Sequence, residues 1–100
     1  MDRRQIAIEF ANSLNFSEIK KIILFGSVAR GDDNKDSDID IMIITTDKDK
    51  IEDEVFSKVS DFLLETMKYI SVKIVSFNHY NKFKDFSFYS TVNKEGILIG

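Results

Sequence analysis

The sequence has no cysteine. Disulfides and thiolate metal sites are therefore excluded, and a reducing compartment fits the chain. It has no proline and only four glycines. No stretch reads as a linker, a low-complexity tract or an internal repeat. One hundred residues without such a break predict one domain spanning residues 1–100. A long apolar run is also missing. Met1-Asp2-Arg3-Arg4 leads into a mixed helical pattern, so neither a signal peptide nor a transmembrane segment is expected, and the cytoplasm is the predicted location. Positive charge is in deficit: the net charge is −3 and the pI about 5.1. That argues against a broad nucleic-acid surface, which is normally basic. Histidine occurs once, as His79, in a setting that reads as a surface turn after a strand.

What is present is ordinary globular composition, 43% hydrophobic and 31% charged. The acid is concentrated. Asp32, Asp33, Asp36, Asp38 and Asp40 crowd one short segment with only Lys35 among them. Such a cluster is more comfortable with a divalent cation than without one.

Apolar spacing gives the elements. Ile6, Ala7, Phe10, Ala11 and Leu14 form one stripe, predicting an amphipathic helix over 3–15. Lys21 to Phe25 is β-rich and stopped by Gly26, which predicts a buried strand. Asp38 to Thr45 reads as a second strand, with Asp38 and Asp40 on one face and Ile39 and Ile41 on the other. A long helix is predicted over 49–69, with Lys48–Glu52 and Lys50–Glu54 pairs near its start. Ser71 to Phe77 reads as a third strand. A helix over 81–94 and a short extended piece at Ile97–Ile99 follow. The fold class is α/β (α+β), a small mixed sheet flanked by helices. Six aromatics between Phe77 and Tyr89 read as core or interface packing rather than as stacking partners for a base.

Gly26-Ser27 directly follows a strand. A glycine there permits a tight turn and close approach of a ligand to the backbone. Free N–H groups of a helical turn over 27–30 would suit an anion such as phosphate. Arg30 can pair with phosphate or with the nearby acids. Asp38 and Asp40 stand two residues apart, so a strand points both the same way. Two such carboxylates can share hard cations, the ground plan of two-metal phosphoryl and nucleotidyl transfer.

Gly26-Ser27, ten residues, then Asp38-Ile39-Asp40 resembles the signature of the polymerase-beta-like nucleotidyltransferase superfamily. The string Gly-Ser-x-Ala-Arg-Gly followed by Ser-Asp-x-Asp is similar to its minimal nucleotidyltransferase branch, short prokaryotic proteins that carry only the catalytic core. The resemblance implies the nucleotidyltransferase fold. It implies that Gly26 and Ser27, with Arg30, bind the phosphates of a nucleoside triphosphate and that Asp38 and Asp40 bind two Mg²⁺. It further implies transfer of a nucleoside monophosphate, AMP by family expectation, to an acceptor hydroxyl. The acceptor would be a small molecule or a partner protein, such as the small helical HEPN toxin that often accompanies an antitoxin of this kind; a second copy of the chain is the other partner expected.

The superfamily usually carries a third carboxylate on the next strand. Ser71 to Phe77 has none, and Lys73 or Ser71 stands near that position. Either two carboxylates suffice, or a partner, Asp85 or Glu65 supplies the third. Otherwise the chain is a degenerate module that binds nucleotide or masks a partner. Lys73 faces the metals or points outward with Val72 and Ile74 in the core.

Overall fold

The computed structural model describes residues 2–100, with only the backbone of Ser87. Its elements run α1 (Arg3–Ser13), β1 (Ile19–Phe25), α2 (Gly26–Arg30), β2 (Ile39–Thr45), α3 (Lys48–Thr66), β3 (Ile70–Ser76), α4 (Phe77–Phe83), α5 (Ser87–Glu95) and β4 (Ile97–Leu98). The sheet order is β3-β2-β1-β4. β1 runs antiparallel to β2 and β4, and β2 runs parallel to β3. The mixed sheet flanked by helices is the expected class.

β2 is central, and strand alternation splits its side chains between two helical layers. On one face Ile39, Ile41 and Ile43 join Leu24, Phe10, Ile51 and Val55 beneath α1 and α3. On the other, Met42 and Ile44 join Ile23, Tyr80, Tyr89 and Val92 beneath α4 and α5. Asp40 shares the parity of Met42 and Ile44, so its side chain belongs to the second face.

The helices start and stop for local reasons. Asp2 caps α1 by accepting from the Gln5 N–H at 2.8 Å, and Asp47 caps α3 by accepting from the Lys50 N–H. Met67 ends α3 in the left-handed region at φ 59°. Phe10 and Phe62 meet edge to face across α1 and α3, ring centroids 5.6 Å apart.

Three expectations need correction. The helix predicted over 81–94 is two helices, α4 and α5. Tyr80 and Tyr89 both pack into the second face, with rings 5.4 Å apart. Nine residues of continuous helix would set them about 180° apart, so the chain must break between them. His79 lies in α4 rather than in a turn, because Ser76 caps that helix directly after β3. Lys50 pairs with Glu18 at 2.8 Å instead of Glu54, since the loop before β1 passes the start of α3. The Lys48–Glu52 pair is present at 3.9 Å.

Candidate active site

The antiparallel register sets Phe25, the last residue of β1, opposite Asp40 on β2. Gly26 therefore turns beside the Asp40 carboxylate. Its φ is +74°, a conformation that favours glycine. A Cβ placed on Gly26 would lie 2.2 Å from Asp40 Oδ2 and 3.1 Å from its Cγ. Only glycine fits this turn without displacing the carboxylate. α2 begins at Gly26 and ends at Gly31, itself left-handed at φ +83°.

Asp38 precedes β2 by one residue instead of opening the strand, and it is exposed. Asp40 is half-buried. Desolvation, and then the Asp38 charge, push the Asp40 carboxyl above its ordinary pKa, while Arg30 and Lys73 pull the other way. The two carboxylates thus feel each other. Asp40 carries its charge at a cost that a bound cation would relieve, and the oxygen donors suit a hard divalent ion.

Arg30 lies near the pair but is held by acids. Its Nε is 3.3 Å from Asp32 Oδ2 and its Nη1 3.3 Å from Glu95 Oε2. Asp32 is the main reason that its pKa is raised. Ser27 sits in the first turn of α2, where its carbonyl accepts from the N–H groups of Gly31 and Asp32.

The parallel register sets Ser71 opposite Asp40 and Lys73 opposite Met42. Lys73 therefore faces the Asp40 side of the sheet, while Val72 and Ile74 pack against the α1/α3 core. A cation stands on the strand where the third acid was sought. Among the described residues, no group of three or more His, Cys, Asp or Glu side chains comes together as a metal site, so neither Asp85 nor Glu65 completes one.

Two structural supports of the candidate site escape sequence reasoning. Arg3 Nη2 donates to the Lys35 carbonyl at 2.7 Å and its Nε to the Ser37 carbonyl at 3.0 Å. Its Nη1 also lies 3.6 Å from Asp33. Arg4 Nη2 donates to the carbonyls of Val28 and Ala29 at the end of α2. Both arginines of α1 thus hold the loop that joins the glycine turn to the carboxylates. Their adjacency gives no signal, because an exposed Arg-Arg at a helix start reads as solvated charge.

The family model for polymerase beta nucleotidyltransferases matches residues 7–99. The chain belongs to the polymerase-beta nucleotidyltransferase family. The nucleotidyltransferase is similar to the "putative protein adenylyltransferase MJ0604" of Methanocaldococcus jannaschii, at 38% identity, with 99% of each chain covered. Among solved structures it resembles a toxin–antitoxin crystallised with AMP-PNP (21% identity, TM-score 0.59, all of this chain and 73% of that one). It also resembles a mutant toxin–antitoxin MntA-HpeT (17% identity, TM-score 0.60, again all of this chain and 73% of that one). These two likenesses establish the fold. Among the described residues no helix is long and apolar enough to cross a membrane.

Proposed function

We propose that this nucleotidyltransferase transfers AMP from ATP to a hydroxyl group of a partner protein. The observation that carries the reading is the approach of Gly26 to Asp40, where a Cβ would stand 2.2 Å from the carboxylate oxygen. A turn built that tightly against a half-buried carboxylate sets the backbone N–H groups beside it, as a phosphate next to a metal would need.

Gly26 and Ser27 bind the β- and γ-phosphates, and Arg30 leaves Asp32 or Glu95 to take a phosphate oxygen. Asp38 and Asp40 hold Mg²⁺. Bound there, the metal supplies charge for the triphosphate and the developing oxyanion. The acceptor oxygen forms a bond to the α-phosphorus, the bond from that phosphorus to the bridging oxygen breaks, and pyrophosphate departs. The hydroxyl proton leaves to water. The protein acceptor is supported by the name of the Methanocaldococcus relative and the toxin–antitoxin setting of the structural relatives. A small helical HEPN-type toxin is the partner that we propose, with the present chain as antitoxin.

Calorimetry with α,β-methylene-ATP tests the site. Binding should require Mg²⁺, vanish in EDTA, and vanish in Asp38→Asn/Asp40→Asn. Undiminished binding by that double variant would overturn the assignment.

Lys73 supports a second reading, a nucleotide-binding module that masks its partner without transfer. Its ammonium group stands on the strand where an acid would complete the metal site. The two readings separate on ATP radiolabelled at the α-phosphate. Label on the partner and free pyrophosphate mean transfer; intact ATP in a stable complex means masking.

A further inference from the structure

The aromatic C-terminal segment is only partly packed into the core. Tyr80 and Tyr89 are buried, but Phe83, Phe86 and Phe88 stay 37%, 65% and 42% exposed. Lys73, Val75, His79, Phe83, Phe86, Phe88 and Tyr89 line an open cavity of about 510 Å³ between β3, α4 and α5. That size falls within the roughly 300–1,000 Å³ of small-molecule sites.

Two lining residues, Lys73 and Phe88, relate the cavity to the Asp40 end of the sheet. Phe25 pairs with Asp40 from β1, and Lys73 stands two residues beyond Ser71, which pairs with Asp40 from β3. Phe88 contacts both flanks. Its ring meets Phe25 edge-on with centroids 5.7 Å apart, and Lys73 Nζ lies 5.7 Å from its centroid. The Phe88 wall is thus one side chain from the phosphate turn. The lining combines ring faces with polar tips: His79 Nδ1 and the Tyr89 hydroxyl share a hydrogen bond of 2.8 Å.

Resting on the nucleotide reading above, we infer that this cavity is the nucleobase site. The base stacks on the exposed Phe88 ring, with its edge toward His79. Lys73 stands at the mouth, between ring wall and carboxylates, where the α-phosphate and ribose pass. This gives Lys73 a task that an acid could not perform. The ring faces and the cation match an aromatic base joined to an anion. An aliphatic side chain of a partner would use neither.

His79 is the only histidine, so its ring signals in an NMR spectrum need no assignment. With Mg²⁺ present, α,β-methylene-ATP should shift both the His79 ring signals and the Gly26 and Ser27 amides. Inorganic tripolyphosphate should shift the amides alone. Phe88→Ala should weaken nucleotide binding roughly 5- to 150-fold, the loss of one stacked ring, and leave tripolyphosphate affinity unchanged. Phe83→Ala, on another exposed wall, is the second variant should Phe88→Ala fold poorly. Amides that shift with ATP while His79 does not would overturn the base site and spare the triphosphate reading. Amides that ignore both ligands would sink both. Equal weakening of nucleotide and tripolyphosphate by either variant would also overturn the base site.

Discussion

Replacing Gly26 with alanine isolates the contact on which the site is built. Two costs follow. At φ +74° an L residue is strained by about 1–2 kcal/mol. The new Cβ also overlaps the Asp40 carboxylate, with Oδ2 at 2.2 Å and Cβ at 3.3 Å. Asp40 must leave its rotamer, at about 0.5–1.5 kcal/mol. Together the penalty is about 1.5–3.5 kcal/mol, which for a chain of this size lowers Tm by roughly 6–28 °C. Gly31→Ala is the internal control. Its φ is +83°, yet a Cβ there would meet nothing within 4 Å, so it should show the strain alone. Thermal and urea unfolding of Gly26→Ala, Asp40→Ala and the double variant complete a cycle. In the Asp40→Ala background, where the Oδ2 and Cγ contacts are gone and only the Cβ at 3.3 Å remains, the cost of Gly26→Ala should fall toward the Gly31→Ala value. If Gly26→Ala costs no more than Gly31→Ala in the wild-type background, or if removing Asp40 leaves its cost unchanged, the steric argument is wrong.

Other outcomes are expected. Asp40→Asn should abolish metal-dependent nucleotide binding and yet raise Tm at neutral pH. The folded Asp40 pKa lies above its ordinary value, so the native state binds the proton more tightly and stability falls as pH rises through that window; an unchanged or lower Tm would contradict this. Lys73→Asp should tighten Mg²⁺ binding by calorimetry, because it exchanges an opposing charge for a third carboxylate facing the pair; weaker binding would mean that Lys73 does not face the metals. Glu18 is held below its ordinary pKa chiefly by its hydrogen bond to Lys50. Its contribution is present above the unfolded value of about 4.5 and lost as pH falls through the folded one. Glu18→Gln should flatten that acid limb in unfolding curves, and an unaltered limb would refute the pairing.

The legible parts of the fold are those that neighbouring residues decide. β1, β2 and the two large helices follow from apolar spacing, with ends moved by one to three residues where caps intervene. Gly26, Ser27, Asp38 and Asp40 stand out because their types and spacing are local. What escaped depends on register. Lys73 faces the site because Met42 lies opposite it, and nothing within Ser71–Phe77 states that alignment. The break between α4 and α5 depends on Tyr80 and Tyr89 seeking the same sheet face, a demand invisible to periodicity. Lys50 finds Glu18 because the chain returns there, 32 residues away in sequence.

β2 lies between two strands and two helical layers, and Ile39, Ile41, Met42, Ile43, Ile44 and Thr45 are fully buried along it. A segment so enclosed exchanges its amide protons only through openings close to global unfolding. Asp40 is carried on that segment, so its backbone is among the last to loosen. The carboxylate is therefore not poised by an order–disorder change, and no ligand need spend binding energy on organising it. Any change that disarms Asp40 must act on its side chain or on its surroundings, because melting the strand would melt the protein.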